Sequence, residues 1–297
     1  MLPRSRGYVL LILVFLLLVS NIFLFYAGWH YSTRGLTFAM LDVGQGDALF
    51  VESPAGTQVL IDSGPPGRVI SQLSRVLSPF DRRIDAVIIT NPDQDHIAGF
   101  LDVLKIYKID TVFEPGTIND SNTYKNFKAK VKEKNIPNIL LKRGMTLDMG
   151  GGVVIEVLFP DRDVSTWSTN DGSIIARLSY GDTSIMLTGD ATSETERIVL
   201  KENAAEFLQS DILKVGHHGS RTSTSKEFVK AVAPKYALIS DGKNNTYGHP
   251  HEETLKILGE LGVKVFRTDL LGTIIMKSNG KDEIFICGII ARCETKK

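Results

Sequence analysis

Asp85-Ala-Val-Ile-Ile-Thr-Asn-Pro-Asp-Gln-Asp-His-Ile-Ala-Gly99 is the stretch on which the reading of this chain turns. Ala86 to Ile89 is a short apolar run, preceded by charge and stopped by Asn91-Pro92, which predicts a buried strand with an abrupt end. Asp93, Asp95 and His96 follow at once. Ile97, Leu101, Val103 and Leu104 then recur at helical spacing, and Asp95 stands where a helix cap is expected. A strand end that hands carboxylates and an imidazole to a helix start is a rigid place to hold a cation. A capped helix with solvated acids is the plainer alternative.

The flanking sequence repeats the arrangement. Leu36 to Val43 and Asp47 to Val51 predict strands around the tight turn Gly44-Gln45-Gly46, and Gln58 to Ile61 predicts a third that ends in Asp62-Ser63-Gly64. Asp42, Asp47 and Asp62 taken singly read as turn residues. Downstream, Ser184 to Leu187 ends in Thr188-Gly189-Asp190, and Asp211 to Val215 ends in Gly216-His217-His218-Gly219-Ser220. A strand from Tyr236 to Ser240 leads into the loop that carries His249 and His251. Two runs of strands, each followed by alternating helices and strands, predict a layered fold of mixed α+β and α/β character: two mixed sheets face to face, with helices outside. Five of the six histidines fall in three loops directly after predicted strands, where loops carry chemistry and the sheet holds position.

Composition excludes less. Of 297 residues 43% are apolar, and Lys plus Arg and Asp plus Glu are both 34, so no global field favours nucleic acid. The Lys-rich helix predicted over 122–134 reads most simply as a solvated face. Too few aromatics cluster with basic residues to argue stacking on bases. The N-terminus differs in kind. Tyr8 to Tyr26 is apolar except for Ser20 and Asn21, long enough to cross a hydrocarbon core, and Arg4 and Arg6 precede it. The positive-inside rule then predicts a signal anchor over 1–31, a linker over 32–35 and one extracytoplasmic domain over 36–297 in a cell-membrane protein that crosses the bilayer once. A cleaved signal peptide is the competing expectation.

The order Asp62-Ser63-Gly64, Asn91-x-Asp93-x-Asp95-His96, Thr188-Gly189-Asp190 and Gly216-His217-His218-Gly219-Ser220 resembles the metallo-β-lactamase superfamily. More narrowly, Leu41-Asp-Val-Gly-Gln-Gly-Asp47, Lys214-Val-Gly-His-His-Gly-Ser220 and Tyr247-Gly-His-Pro-His251 look like the extracytoplasmic hydrolase domain of ComEC competence proteins. The likeness runs from about Leu36 to about Met276. It implies an αββα sandwich with a metal site at one edge, and the apolar run Tyr8 to Tyr26 places one N-terminal transmembrane helix ahead of it.

Carried over residue by residue, the resemblance assigns Asp95, His96, Asp190 and His218 to one divalent ion, zinc or manganese. It leaves a second site thin. Asn91 stands where the family has histidine, and the loop Ser168-Thr169-Asn170-Asp171 offers none, so only Asp93 and a bridging Asp190 remain. Asp93 is then expected to orient or deprotonate the water, His217, His249 and Ser220 to hold an anionic substrate, and Asp47 and Asp62 to support the ligands from behind. For His249, simple capping of the helix after Pro250 is the alternative. The implied activity is a membrane-anchored phosphodiesterase or nuclease, with single-stranded DNA as a candidate substrate. Two alternatives stand beside it. One is a hydrolase of another small ester: a choline-phosphate ester, a lactone or a thioester. The other is a binding module that has lost catalysis, for which Asn91 is the best argument.

Overall fold

The computed structural model describes residues 8, 9, 11–22, 35–287 and 291–292. The chain divides into two units, Met1–Gly35 and Leu36–Lys297. In the first, residues 11–22 are helical and Leu11 through Val19 and Ile22 are exposed where apolar. Among the described residues no helix is long and apolar enough to cross a membrane; the remainder of the expected span, Leu10 and the residues from 23 to 26, lies outside them.

In the second unit the strands form two mixed sheets. The first runs, in spatial order, Ala291–Arg292, Glu283–Cys287, Ile274–Ser278, Leu36–Met40, Leu49–Glu52, Gln58–Ile61, Arg83–Ile88, Lys108–Glu114 and Asn138–Leu140. The second runs Lys264–Arg267, Tyr236–Ile239, Ile212–Lys214, Thr183–Leu187, Ile175–Tyr180, Val153–Phe159 and Thr146–Asp148. Each sheet is antiparallel on one side and parallel on the other. Gln58–Ile61 begins the parallel half of the first, pairing Ile61 with Ile88, and Thr183–Leu187 begins that of the second, pairing Met186 with Leu213.

The period-2 alternation of side chains explains the layering. Leu36, Phe38 and Met40 point into a core shared by the sheets, together with Leu49, Val51, Ile155, Leu178 and Ile185. The alternate positions Ala39, Phe50 and Leu60 face a second core under the helices Val69–Leu73, Phe100–Ile106 and Asn122–Glu133. Met186, Leu213 and Ile239 do the same beneath Ser193–Glu202, Lys226–Val232 and Glu252–Glu260. Three apolar layers between four layers of structure make the αββα sandwich. Ligands in such sheets bind beyond the carboxyl ends of the parallel strands, and Asp62, Asn91, Asp190, His217 and Asp241 lie just past those ends here.

One local expectation is corrected. The helix after the central strand starts earlier, at Gln94–Ile97, with Asp93 and not Asp95 in the cap position, and the cap makes no side-chain bond. A second helix, Phe100–Ile106, then continues the chain. Asp95 lies inside the first turn, where its carboxylate faces the histidines instead of its own backbone.

Candidate metal centre

Asp95, His96, Asp190 and His218 each offer an atom within 4.8 Å of the others. His96 Nε2 lies 3.1 Å from Asp190 Oδ2, and His218 Nε2 lies 3.4 Å from Asp95 Oδ2 and 3.6 Å from Asp190 Oδ2. The backs of both rings are fixed. His96 Nδ1 meets Asp62 Oδ2 at 2.9 Å, and His218 Nδ1 donates to the Ser240 carbonyl at 3.0 Å. A carbonyl only accepts, so Nδ1 carries a proton; against burial, Asp190 and Asp47 push the ring's pKa up to about 10, so Nε2 holds a second proton that a bound cation would displace. Such outer partners set tautomer and ring angle at metal-binding histidines.

A fit test follows from what is left unpaired. His96 Nε2, His218 Nε2 and Asp190 Oδ1 are buried atoms with no hydrogen-bond partner. Buried polar atoms are nearly always satisfied; the two ring nitrogens both face Asp190 Oδ2, while Asp190 Oδ1 faces Lys214, and the mix of two carboxylates with two imidazoles suits a divalent ion of borderline hardness.

The local backbone is bent to achieve this. His217 and His218 are both left-handed, with φ of 48° and 54°, a conformation that costs non-glycine residues on the order of 1 kcal/mol each. Gly219 (φ +84°) follows because a Cβ there would lie 2.5 Å from Pro250 Cβ. The turn Gly44-Gln45-Gly46 is pressed against the loop that carries Asp95, at the same end of the first sheet. A Cβ on Gly46 would come within 2.2 Å of the Asp95 carbonyl, which instead accepts from Asp47 N at 3.2 Å. Ser240 Oγ donates to the Gly46 carbonyl at 2.6 Å, tying this turn to the carbonyl that holds His218.

Lys214 is the residue that the sequence left without a role. It is fully buried, ion-paired to Asp47, 2.8 Å from the Gly189 carbonyl and 3.8 Å from Asp190 Oδ1. Its signal was a lone cation inside Ile212-Leu213-Lys214-Val215, a run that otherwise reads as buried strand. Burial opposes ionisation of Asp47, yet Lys214 and His218 outweigh it and hold that carboxyl down at about 2. Burial likewise opposes the charged form of Asp190, and His96 and His218 overcome it, so its pKa is well below the usual carboxylate range. At Asp62 burial wins and the pKa rises, despite His96.

His217 and His249 flank the cluster. The His217 Nε2 atom lies 3.8 Å from Asp190 Oδ2, and its Nδ1 is 3.3 Å from Thr222 Oγ1. The His249 ring is 5.6 Å from that of His217 and 6.3 Å from that of His218, and its Nδ1 is buried without a partner. Burial, then the neighbouring His218 and His217, push its pKa down to about 4, so the ring is neutral near pH 7. Ser220 turns its hydroxyl to Thr222 within the loop, and His251 Nδ1 accepts from the Arg221 amide.

The Asn91 side is built differently. Asn91 is fully buried; its Nδ2 donates to Asn170 Oδ1 at 2.7 Å and its Oδ1 accepts from Asp93 N at 2.9 Å. Asp93 Oδ1 accepts from Asn119 Nδ2 and Oδ2 from Thr169 Oγ1, both at 2.8 Å. The place that the resemblance leaves thin is filled by an amide pair, and both Asp93 oxygens already hold neutral donors. These residues do not fit a second ion.

With that geometry in hand, comparison with known proteins gives a consistent answer. Residues 41–240 match the family model described as the metallo-beta-lactamase superfamily. The chain is 37% identical over 253 residues to ComE operon protein 3 of Bacillus subtilis (strain 168), covering 79% of this chain and 32% of that protein. To competence protein ComA of Neisseria gonorrhoeae it is 29% identical over 236 residues, covering 78% and 31%. The chain thus spans about a third of the length of these curated relatives. Among solved structures, the metallo-beta-lactamase fold protein YhfI from Bacillus subtilis superposes with a TM-score of 0.55 at 14% identity, over 82% of this chain and 100% of that one, a likeness of fold alone.

Proposed function

The chain belongs to the metallo-β-lactamase superfamily, and from that premise we propose that it is a metal-dependent phosphodiesterase acting on nucleic acid, with single-stranded DNA as the favoured substrate. The observation that carries the reading is the pair of buried ring nitrogens of His96 and His218, without hydrogen bonds, facing Asp190 Oδ2 and Asp95. Zinc or manganese suits the four residues around them. Such an ion, when bound, supplies Lewis acidity and an activated water.

The chain's own groups divide the remaining work. Asp62 and the Ser240 carbonyl keep His96 and His218 in one tautomer and one orientation. Lys214 neutralises Asp47 and draws on Asp190 Oδ1, which holds that carboxylate in place. Asp93, locked by Asn119 and Thr169, retains one lone pair on each oxygen with which to orient or deprotonate a water. His217 and His249 present ring edges beside the cluster, where a phosphate oxygen or a leaving oxygen can be met by an N–H. The similarity to competence proteins favours DNA over the other esters that the same residues fit. Arg4, Arg6 and the apolar run after them support a cell-membrane anchor with the catalytic domain outside.

Metal analysis of the purified chain, paired with hydrolysis of bis-p-nitrophenyl phosphate under manganese and under zinc, tests the activity. One tight ion and metal-restored turnover are expected, and a metal-replete protein without phosphodiester turnover would overturn the substrate class. For topology, a reporter active only in the cytoplasm and fused after Lys297 should be silent; strong reporter activity would refute the orientation.

A further inference from the structure

We propose that the stacked pair Tyr247–His249 is a subsite for one nucleobase next to the scissile phosphate, an assignment that rests on the phosphodiester reading above. The rings of Tyr247 and His249 lie 5.7 Å apart and 21° from parallel. His249 in turn stands edge-on to His217 at 5.6 Å and 6.3 Å from His218. Two ring-to-ring steps, of 6.3 and 5.7 Å, therefore lead from a residue of the metal cluster to Tyr247. Tyr247 is nevertheless 65% exposed, so one face rests on His249 and most of the ring is left to solvent.

A tyrosine on a loop would ordinarily lose much of its binding energy to ordering. This loop is already ordered. Asn245 Oδ1 accepts from the backbone N–H of Tyr247 at 3.1 Å and of His249 at 3.0 Å. Its Nδ2 donates to the His249 carbonyl at 2.7 Å and to Asp241 Oδ1 at 2.9 Å. Asp241 is itself buried, with its backbone N–H bonded to Thr268 Oγ1 at 2.8 Å. One asparagine thus fixes both ends of Tyr247-Gly248-His249 to the end of a sheet strand. Gly248 allows the turn between the two rings, at φ +73°.

A rigid aromatic face beside a phosphate-cleaving centre suits a base on chemical grounds. Every base has a π-face, so stacking binds nucleotides without reading sequence, and one such contact is worth about tenfold in affinity. The subsite also answers an objection from composition. A chain with no net charge lacks the field that would hold a phosphate backbone at a distance, and stacking supplies affinity that does not depend on one.

The experiment compares fluorescein-labelled octathymidylate with the same oligonucleotide carrying abasic sites throughout. Both are measured on the full chain by anisotropy and by single-substrate kinetics. Wild type should bind and saturate with the thymine strand about tenfold better than with the abasic strand, the difference appearing in KM and not in kcat. Tyr247→Ala should erase the discrimination, and Tyr247→Phe should keep it. Discrimination that survives in Tyr247→Ala, or hydrolysis by wild type without any discrimination, would refute the subsite alone. Discrimination in binding with hydrolysis of neither strand would refute the phosphodiester reading and leave the subsite standing.

Discussion

Two sides of the same site end in opposite states of bonding. Around His96 and His218, two buried ring nitrogens have no hydrogen-bond partner, although the backs of both rings are tied down by Asp62 and Ser240, and Asp190, whose Oδ2 faces both rings, is held from its other oxygen by Lys214. Around Asn91 and Asp93, four hydrogen bonds of 2.7 to 2.9 Å leave neither oxygen of the carboxylate without a donor. Orphaned atoms in a low-dielectric site are costly unless something charged fills the gap. A satisfied network has no such need, and an ion entering it must first break bonds. The difference teaches that a missing histidine has not simply left a hole: amides close it and convert one side of a two-ion plan into structure.

The largest expected effect comes from the orphaned side. His218→Ala removes one of four ligands, and should reduce metal content and phosphodiesterase turnover by at least about 100-fold, with the far-UV circular dichroism unchanged. Metal retained at the wild-type level in this variant would break the comparison, because the orphaned atoms would then not be ligands.

A smaller effect is expected opposite. Asn91→His restores the family residue but should leave the ion stoichiometry at one, since Asn119 and Thr169 still occupy both Asp93 oxygens. It should instead destabilise the protein by about 1–3 kcal/mol, through the unpaired Asn170 amide and the added volume at a fully buried position. Metal analysis and thermal melting check both halves of this statement. Two tight ions in the variant, or in the unmodified chain, would show that the amide network yields to metal.

The smallest effect concerns acid. Burial, with His218 and His217 nearby, holds His249 at about 4, below its ordinary value of 6.5. The unfolded chain therefore binds the extra proton first, so the contribution of His249 to stability is complete above pH 6.5 and is lost as the pH falls towards 4. His249→Gln should melt with a shallower dependence on pH between 6.5 and 4 than wild type. Identical slopes would mean that His249 is not held neutral by its surroundings.

Much of this was legible in the chain, and for a physical reason. Strand ends are local events: Ala86 to Ile89 stopping at Asn91-Pro92, or Ile212 to Val215 stopping at Gly216, announce themselves by composition and period. The αββα layering follows from counting them, and the motif order gave the superfamily. The helix cap was not legible, because Asp93 and Asp95 are equally good caps by sequence, and only the neighbouring histidines decide which carboxylate turns away. The sequence also found no cluster of aromatics, since Tyr247 meets its partner through a loop fold that no spacing encodes.

By itself, then, the sequence determined the elements, their layering and which residues stand at strand ends, because those depend on neighbours along the chain. Only the tertiary structure decided what those residues do to one another. His96 meets Asp190 across the two sheets, Lys214 finds Asp47 from the other half of the chain, and Asn91 is paired to Asn170. Hydrogen bonds and charges act over a few ångströms in space, whatever separates their owners in sequence, and a lone asparagine at position 91 reads as a defect until its partner is seen.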